Sequence, residues 1–340
     1  MNSKFLKKIF AWSVFFGAFA AAALIVSYNM FYGGAVKQKS AFFVYPTQSY
    51  SDIADSIKDK FSNSLRCRAF DLYASHLNLQ GRIKAGHYTL EPGMSVVKIV
   101  RMLALGEQTP VNLTIGEART LPQLAGKISR QIMADSTAII SAMYNPELRK
   151  SLGYERASLI ATFVPNTYQV YWTISPEKLL ARMKREADAF WNESRVQKLE
   201  QTKLTKYQVM TLASIVYEET KNRGEMPKIA GVYINRLRRR MALQACPTVK
   251  YALGDFSLTR ILHRHLRVDS PFNTYRNAGL PPAPICIPSI AAIDAVLNYE
   301  QSNYLYFCAK PELDGTHNFA RTLSEHNANS RKYNAALKRR

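Results

Sequence analysis

Residues 209–220 read VMTLASIVYEET, with Val209, Leu212, Ala213 and Val216 recurring at three- and fourfold spacing. That period marks a helix with one buried stripe. Glu219 continues the stripe, whereas Glu218 follows Thr211 and Ser214 along a more polar face. The two neighbouring carboxylates are therefore expected in different surroundings. A carboxyl group on a partly apolar face loses solvation of its charged form, and its pKa rises. A general acid working near neutral pH needs that shift. The same position also suits a structural helix end, with Glu219 paired to Lys221 or Arg223. Helix geometry nominates Glu219 without deciding between these readings.

Downstream of this helix the sequence predicts a second helix near residues 228–238, a Pro-rich loop at 280–288, a helix near 290–297 and an aromatic strand at 304–307 (YLYF). The prolines stiffen their loop, which reads as the rigid wall of a groove or as plain loop rigidity. Upstream, short strand, turn and amphipathic helix alternate. Residues 41–45 are apolar and aromatic, Pro46 breaks them, and residues 50–61 place Ile53, Ile57 and Phe61 at fourfold spacing. The pattern recurs at 87–90 with a helix from Ser95, and at 111–115 with a helix over 121–132. Its spacing is too irregular for a solenoid and indicates a small α+β region. A Pro-containing aromatic segment, residues 163–168 (FVPNTY), precedes a polar helix at about 176–189.

At the N-terminus, Lys4, Lys7 and Lys8 precede an apolar run at residues 9–26, near the lower limit of about 18 residues for a spanning helix. Trp12 and Tyr28 stand near its ends, where aromatic rings favour the membrane interface. A cleaved signal peptide would be shorter and followed by small residues, unlike residues 27–30 (SYNM). The run reads as an uncleaved anchor with its lysines in the cytoplasm and everything after Gly34 exported. Gly33-Gly34 reads as a flexible exit.

The formal charge of +21 raises nucleic acid as a partner, but export and the scatter of the basic residues exclude it. Residues 236–240 (RLRRR) and Lys338-Arg339-Arg340 are the main clusters. Anionic lipid head groups or an acidic cell wall suit this charge better. Cys67, Cys246, Cys286 and Cys308 show neither zinc nor redox spacing, and their pairing is open. His317 and His326 lack a third ligand at useful spacing, so no metal is expected.

Several blocks then stand together: residues 212–220 (LASIVYEET), 231–237 (GVYINRL), 243–251 (LQACPTVKY), 270–288 (SPFNTYRNAGLPPAPICIP) and 304–307, followed by His317-Asn318-Phe319 and Glu325-His326-Asn327. In order and approximate spacing they resemble the YceG-like endolytic murein transglycosylases. Residues 85–88 (AGHY) with Pro92-Gly93-Met94-Ser95 resemble that family's membrane-proximal LysM-like region. Residues 163–168 resemble its Phe-Pro-Asp-Thr-Tyr segment. The resemblance covers nearly all of the exported part, more specifically in its C-terminal half.

The resemblance implies an α+β protein with a cytoplasmic tail at 1–8, a transmembrane helix at 9–28 and a linker at 29–40. A LysM-like subdomain at 41–118, a connecting helical part at 119–205 and a mixed α+β catalytic core at 206–335 follow. It implies Glu219 as catalytic residue and peptidoglycan glycan strands as substrate, with no cofactor. Asn235, Gln244, Asn273, Tyr275 and Phe319, in or near the matched blocks, are candidates for binding sugar. Each also has a structural reading: Asn273-Thr274 as a turn, Asn235 as a helix brace, Phe319 as core. Where relatives often carry acids, this chain has Tyr217, Cys246 and Asn166, which favours one carboxylate acting twice. Two rivals remain, a non-catalytic wall-binding protein and a hydrolase pairing Glu219 with Glu218 or Asp269. Association with peptidoglycan synthases, membrane lipid around the anchor, and placement of the catalytic part outside the inner membrane are further expectations.

Overall fold

The computed structural model describes residues 3–154 and 159–338. Met1, Asn2, Arg339 and Arg340, part of the expected tail and of the basic C-terminal cluster, lie outside the described residues, as do the side chains of Lys4 and Lys7. The chain is mixed α+β with small sheets, as its sequence predicts. It divides into two units: the first runs to Val111 and takes back Gln169–Thr173, and the second holds the rest.

The first unit contains α1 (Ser3–Tyr32), β1 (Ser40–Val44), α2 (Tyr50–Lys58), α3 (Ser64–His76), α4 (Leu79–Arg82), β2 (Gly86–Leu90) and α5 (Val96–Leu105). Within α1, Lys8–Tyr32 is an apolar stretch with a mean hydropathy of 2.3, unburied over its most apolar part. At 25 residues it extends about 37 Å, enough to cross a hydrocarbon core of about 30 Å. β1 and β2 pair antiparallel from Ser40↔Leu90 to Val44↔Gly86. They cover a core of Phe70, Tyr88, Leu90, Ile99 and Leu103. Ser49, Asn63 and Ser95 cap α2, α3 and α5 by accepting a backbone N–H three residues on. Gly106, in the left-handed region, ends α5.

The exit from α1 is packed rather than flexible. Met30 and Phe31 join the core, and Ala35 and Val36 are buried. Arg66 donates from Nη2 to Asn29 Oδ1 at 2.7 Å and from Nη1 to the Asn29 carbonyl. Gly33 fits because a Cβ there would lie 2.6 Å from that same carbonyl oxygen. Glycines that read as a hinge therefore serve a close approach.

The second unit begins within β3 (Val111–Ile115) and holds α6 (Leu121–Ser129), α7 (Ser136–Tyr144), α8 (Pro146–Ser151), most of β4 (Asn166–Val170), α9 (Pro176–Phe190) and α10 (Glu193–Thr202). It continues with α11 (Lys206–Glu219), α12 (Met226–Arg238), α13 (Cys246–Leu253), α14 (Ile290–Leu297), β5 (Tyr306–Ala309), β6 (His317–Ala320) and α15 (Leu323–Lys338). β3 pairs with β4, and β5 with β6. The last pair is antiparallel, with Phe307 opposite Phe319 and Ala309 opposite His317. Strand β5 begins two residues later than the aromatic run suggests. Asn235 Nδ2 takes the carbonyls of Ser302 (2.7 Å) and Tyr304 (3.0 Å), tying the approach to the strand down first.

Helix α11 runs through the middle of this unit. A capping box between Thr205 and Gln208 starts it, and α12, α13 and α14 pack around it. Every residue from Val209 to Val216 is buried, so the polar face expected through Thr211 and Ser214 does not meet water. Both hydroxyls donate back into the helix, to Tyr207 O at 3.0 Å and Thr211 O at 2.7 Å. Ser214 also accepts the Ile285 N–H at 3.0 Å, docking the Pro-rich loop onto α11.

Candidate active site

Helix α11 ends where its surroundings open. Thr220 turns extended after Glu219, and the Glu219 side chain, partly buried, enters a cleft of about 410 Å³. Helix α12 lines this cleft with Tyr233 and Arg236, and the start of α13 and the chain before it supply Cys246, Gln244 and Leu243. Tyr275 and Phe307 add aromatic walls, with His317 on β6 and His326 on α15 closing the lining. Glu219 is the one acid among these residues.

The two adjacent carboxylates diverge as the sequence predicts. Glu218 accepts from Arg119 Nη2 at 2.9 Å and faces Lys221 Nζ at 3.8 Å; Arg119 also meets Glu117 at 3.2 Å. Among the described residues Glu219 has no such charged partner; its Oε1 accepts from the Tyr233 hydroxyl at 2.8 Å. Burial pushes its pKa up to about 7, against weaker opposing pulls from that hydrogen bond and from Lys250. Near neutrality Glu219 can thus hold a proton to give and, once ionised, take one back.

Of the residues nominated for sugar binding, Gln244 and Tyr275 line the cleft with Glu219. The Tyr275 hydroxyl meets Cys246 Sγ at 3.2 Å, and burial holds this phenol far above its usual pKa, hence neutral. Gln244 occupies the left-handed region at φ 52°, its N–H fixed by Thr274 O at 3.1 Å and its Oε1 within 3.4 Å of Arg236 Nη1. Asn235, Asn273 and Phe319 lie outside the cleft lining. Asn235 braces the approach to β5. Asn273, fully buried, donates to Leu266 O and Val268 O at 2.9 Å each and accepts the Tyr275 N–H at 3.0 Å, so it shapes the loop that presents Tyr275. Phe319 packs against Tyr304 and Phe307.

Asp269 is exposed beside Arg276, and neither it nor Glu218 lines the cleft. The Pro-rich run contributes Pro282, Ala283 and Pro284 to a different cleft, of about 550 Å³, with Tyr251 and Phe272. All four cysteines are free thiols, with Cys246 and Cys308 in the lining around Glu219.

Periodicity alone does not reveal Tyr233, Arg236 or the pairing of His317 with Glu225. Tyr233 continues the Ile229–Ala230 stripe of α12, and a hydroxyl in a buried stripe is the available signal. Arg236 looks like part of a solvated basic run, yet it is buried and donates to Leu305 O at 2.6 Å and Leu243 O at 2.9 Å.

Comparison with known proteins bears on the same region. The model of the YceG-like family matches residues 42–332. A Bacillus subtilis protein named endolytic murein transglycosylase is 30% identical over 282 residues, 78% of this chain and 77% of the relative. A Streptococcus pneumoniae protein of the same name is 31% identical over 294 residues; the match covers 76% of this chain and 52%, about half, of that longer relative. A crystal structure of a protein described as yceG-like from Listeria monocytogenes aligns with TM-score 0.57 at 31% identity, covering 86% of this chain and 98% of the other.

Proposed function

The chain belongs to the YceG-like family, and on that premise we propose that it is a membrane-anchored endolytic murein transglycosylase whose acid and base are one residue, Glu219. The observation that carries the assignment is the pairing of a lone cleft carboxylate with a pKa raised to about 7. A hydrolase needs a second carboxylate to activate water or form a glycosyl-enzyme bond. Glu218 and Asp269 are engaged with arginines away from the cleft lining, which supports the transglycosylase over that rival.

The reaction breaks the bond between N-acetylmuramic acid and N-acetylglucosamine. Protonated Glu219 gives its proton to the glycosidic oxygen as the bond to the muramic anomeric carbon breaks. The 6-hydroxyl of the same muramic acid then attacks that carbon, and its proton returns to the Glu219 carboxylate. The products are a free hydroxyl on one fragment and a 1,6-anhydro end on the other, with the enzyme restored. An intramolecular nucleophile has a large advantage over water, so no water-activating group is required. Tyr275 and Gln244 are placed to receive the sugar, Tyr275 by stacking or donating its hydroxyl. Asn273 supports this indirectly by holding the Tyr275 loop.

Helix α1 holds the protein at the inner membrane, with the basic tail inside and both folded units outside. From there it reaches newly made strands and ends their elongation, beside the synthases that make them. Glycan strands incubated with the full chain are expected to yield anhydro ends, and Glu219→Gln none. Reducing ends from the wild-type chain would move it to the hydrolases, and anhydro ends that persist in the variant would remove Glu219 from its role.

A further inference from the structure

A histidine in the lining of the Glu219 cleft, paired with a glutamate behind it, takes no part in these proton transfers. His317, in the cleft lining, gives its backbone N–H to Glu225 Oε1 at 2.9 Å, and its ring Nδ1 stands 2.9 Å from Glu225 Oε2. The side chains are 14% and 15% exposed, so water competes little for either bond. The Phe307 ring stands edge-on to the imidazole, centroids 5.4 Å apart at 87°, and fixes its plane. Glu225 precedes α12 but makes no side-chain cap to it.

From this arrangement we propose that Glu225 locks His317 in the tautomer that carries its proton on Nδ1, so that Nε2 is presented to the cleft as an acceptor for a sugar hydroxyl. An ionised carboxylate only accepts, so both groups facing Glu225 must donate, which places a hydrogen on Nδ1. Neutral imidazole carries one hydrogen, leaving Nε2 with its lone pair. A carboxylate that sets a histidine's tautomer through Nδ1 is a recurrent way to orient the other nitrogen. Glucosaminyl and muramyl units offer hydroxyl donors to such an acceptor. Resting on the transglycosylase reading, the hydroxyl held by Nε2 is one that does not react, because the muramic 6-hydroxyl has a single hydrogen and gives it to Glu219; holding that non-reacting hydroxyl fixes how the sugar lies against Glu219. His317 is then a substrate-binding residue and Glu225 a positioning residue that acts through it.

The same donor balance predicts what a near-isosteric change does. In Glu225→Gln the amide oxygen stays with the His317 backbone N–H, and the amide NH₂ faces Nδ1. Nδ1 must then accept, its proton moves to Nε2, and the cleft meets a donor instead of an acceptor. Nitrogen-15 NMR of the histidine rings in the full chain, solubilised in detergent micelles, should show the Nδ1–H form of His317 in the wild type and the Nε2–H form in Glu225→Gln. Turnover on glycan strands should fall roughly 100-fold, as it does when a bound sugar lies out of line with its catalytic group, while KM changes little and the thermal melt stays close to wild type. Glu225→Asp, which keeps an acceptor-only group, should recover more turnover than Glu225→Gln despite its shorter reach. His317→Ala should resemble Glu225→Gln in turnover. An unchanged His317 tautomer in Glu225→Gln, wild-type turnover in either Glu225→Gln or His317→Ala, or a better Gln than Asp variant would overturn the proposal. Reducing ends from the wild-type chain would instead refute the transglycosylase reading, while the NMR arm still decides what Glu225 does to His317.

Discussion

A carboxyl group kept protonated by burial carries a stability cost once it ionises, and at Glu219 the sign is fixed. Its folded-state pKa of about 7 lies above the ordinary value of 4.5. The associated stability is therefore full below about pH 4.5 and is lost as pH rises through 7. Glu219→Gln removes that ionisation. The variant should be more stable than the wild type by on the order of 2 kcal/mol at about pH 8.5, with the gap closing near pH 4.5. Urea unfolding at the two pH values checks this, and a gap that widens toward acid would refute it. The same pKa should bend the activity profile, since the protonated fraction falls above about pH 7. Tyr233→Phe removes the hydrogen bond that favours the carboxylate, so this alkaline limb should move to higher pH. A limb that stays in place or moves down would show that another group sets it. Glu219 was legible in the sequence because both its stripe and its motif lie on one helix. Of the cleft groups around it, Gln244 and Tyr275 came with the matched blocks, whereas Tyr233 and the pairing of His317 did not. Tyr233 meets it from 14 residues away, and His317 finds Glu225 across 92.

At the level of elements, local pattern found the strands and helices that carry their own punctuation. The segment from Pro92-Gly93 through Ser95 into α5 and its Gly106 end is one such case. Helix α13, by contrast, starts without a side-chain cap. Its position is held by the buried Thr248 and Thr274, whose hydroxyls lie 2.8 Å apart across 26 residues, a contact no local window contains. Helix α11 misled in a different way. Its hydroxyl residues mimic a solvent face, yet they satisfy themselves on backbone carbonyls inside the core. A close approach at α12 makes the sharpest test of this packing. A Cβ on Gly231 would sit 2.3 Å from the Glu300 carbonyl oxygen, and Glu300 is itself bonded through its N–H to Pro227 O at 2.9 Å. Gly231→Ala should therefore destabilise the protein by about 1–3 kcal/mol, the usual cost of overpacking. A thermal melt reads it, and a variant as stable as wild type would mean that the segment at 299–301 gives way freely.

For the whole molecule, the most consequential feature is that its apolar helix does not end in a loose linker but continues into folded structure. An exit built as a loose tether would let residues up to about 40 be removed without effect on the first unit. The packing of Met30, Phe31, Ala35 and Val36, together with the Arg66–Asn29 bonds, says otherwise. A chain beginning at Ser27 keeps these contacts and should melt cooperatively near the full-length protein. A chain beginning at Gly34 loses Met30 and Phe31 from the core and leaves the largely buried Arg66 guanidinium without its partner. Partial burial of two large apolar side chains contributes about 2–4 kcal/mol, and an orphaned charged donor costs about 1–3 kcal/mol more. The second truncation should therefore melt well below the first in the transition of the first unit. The comparison is best made in detergent-free buffer, where both lack most of the spanning segment and differ only by residues 27–33. Equal melting temperatures would restore the tether. The predicted difference would mean that the apolar helix and the rest of the first unit fold as one piece, so that the helix carries a fixed body at its end instead of one free to swing.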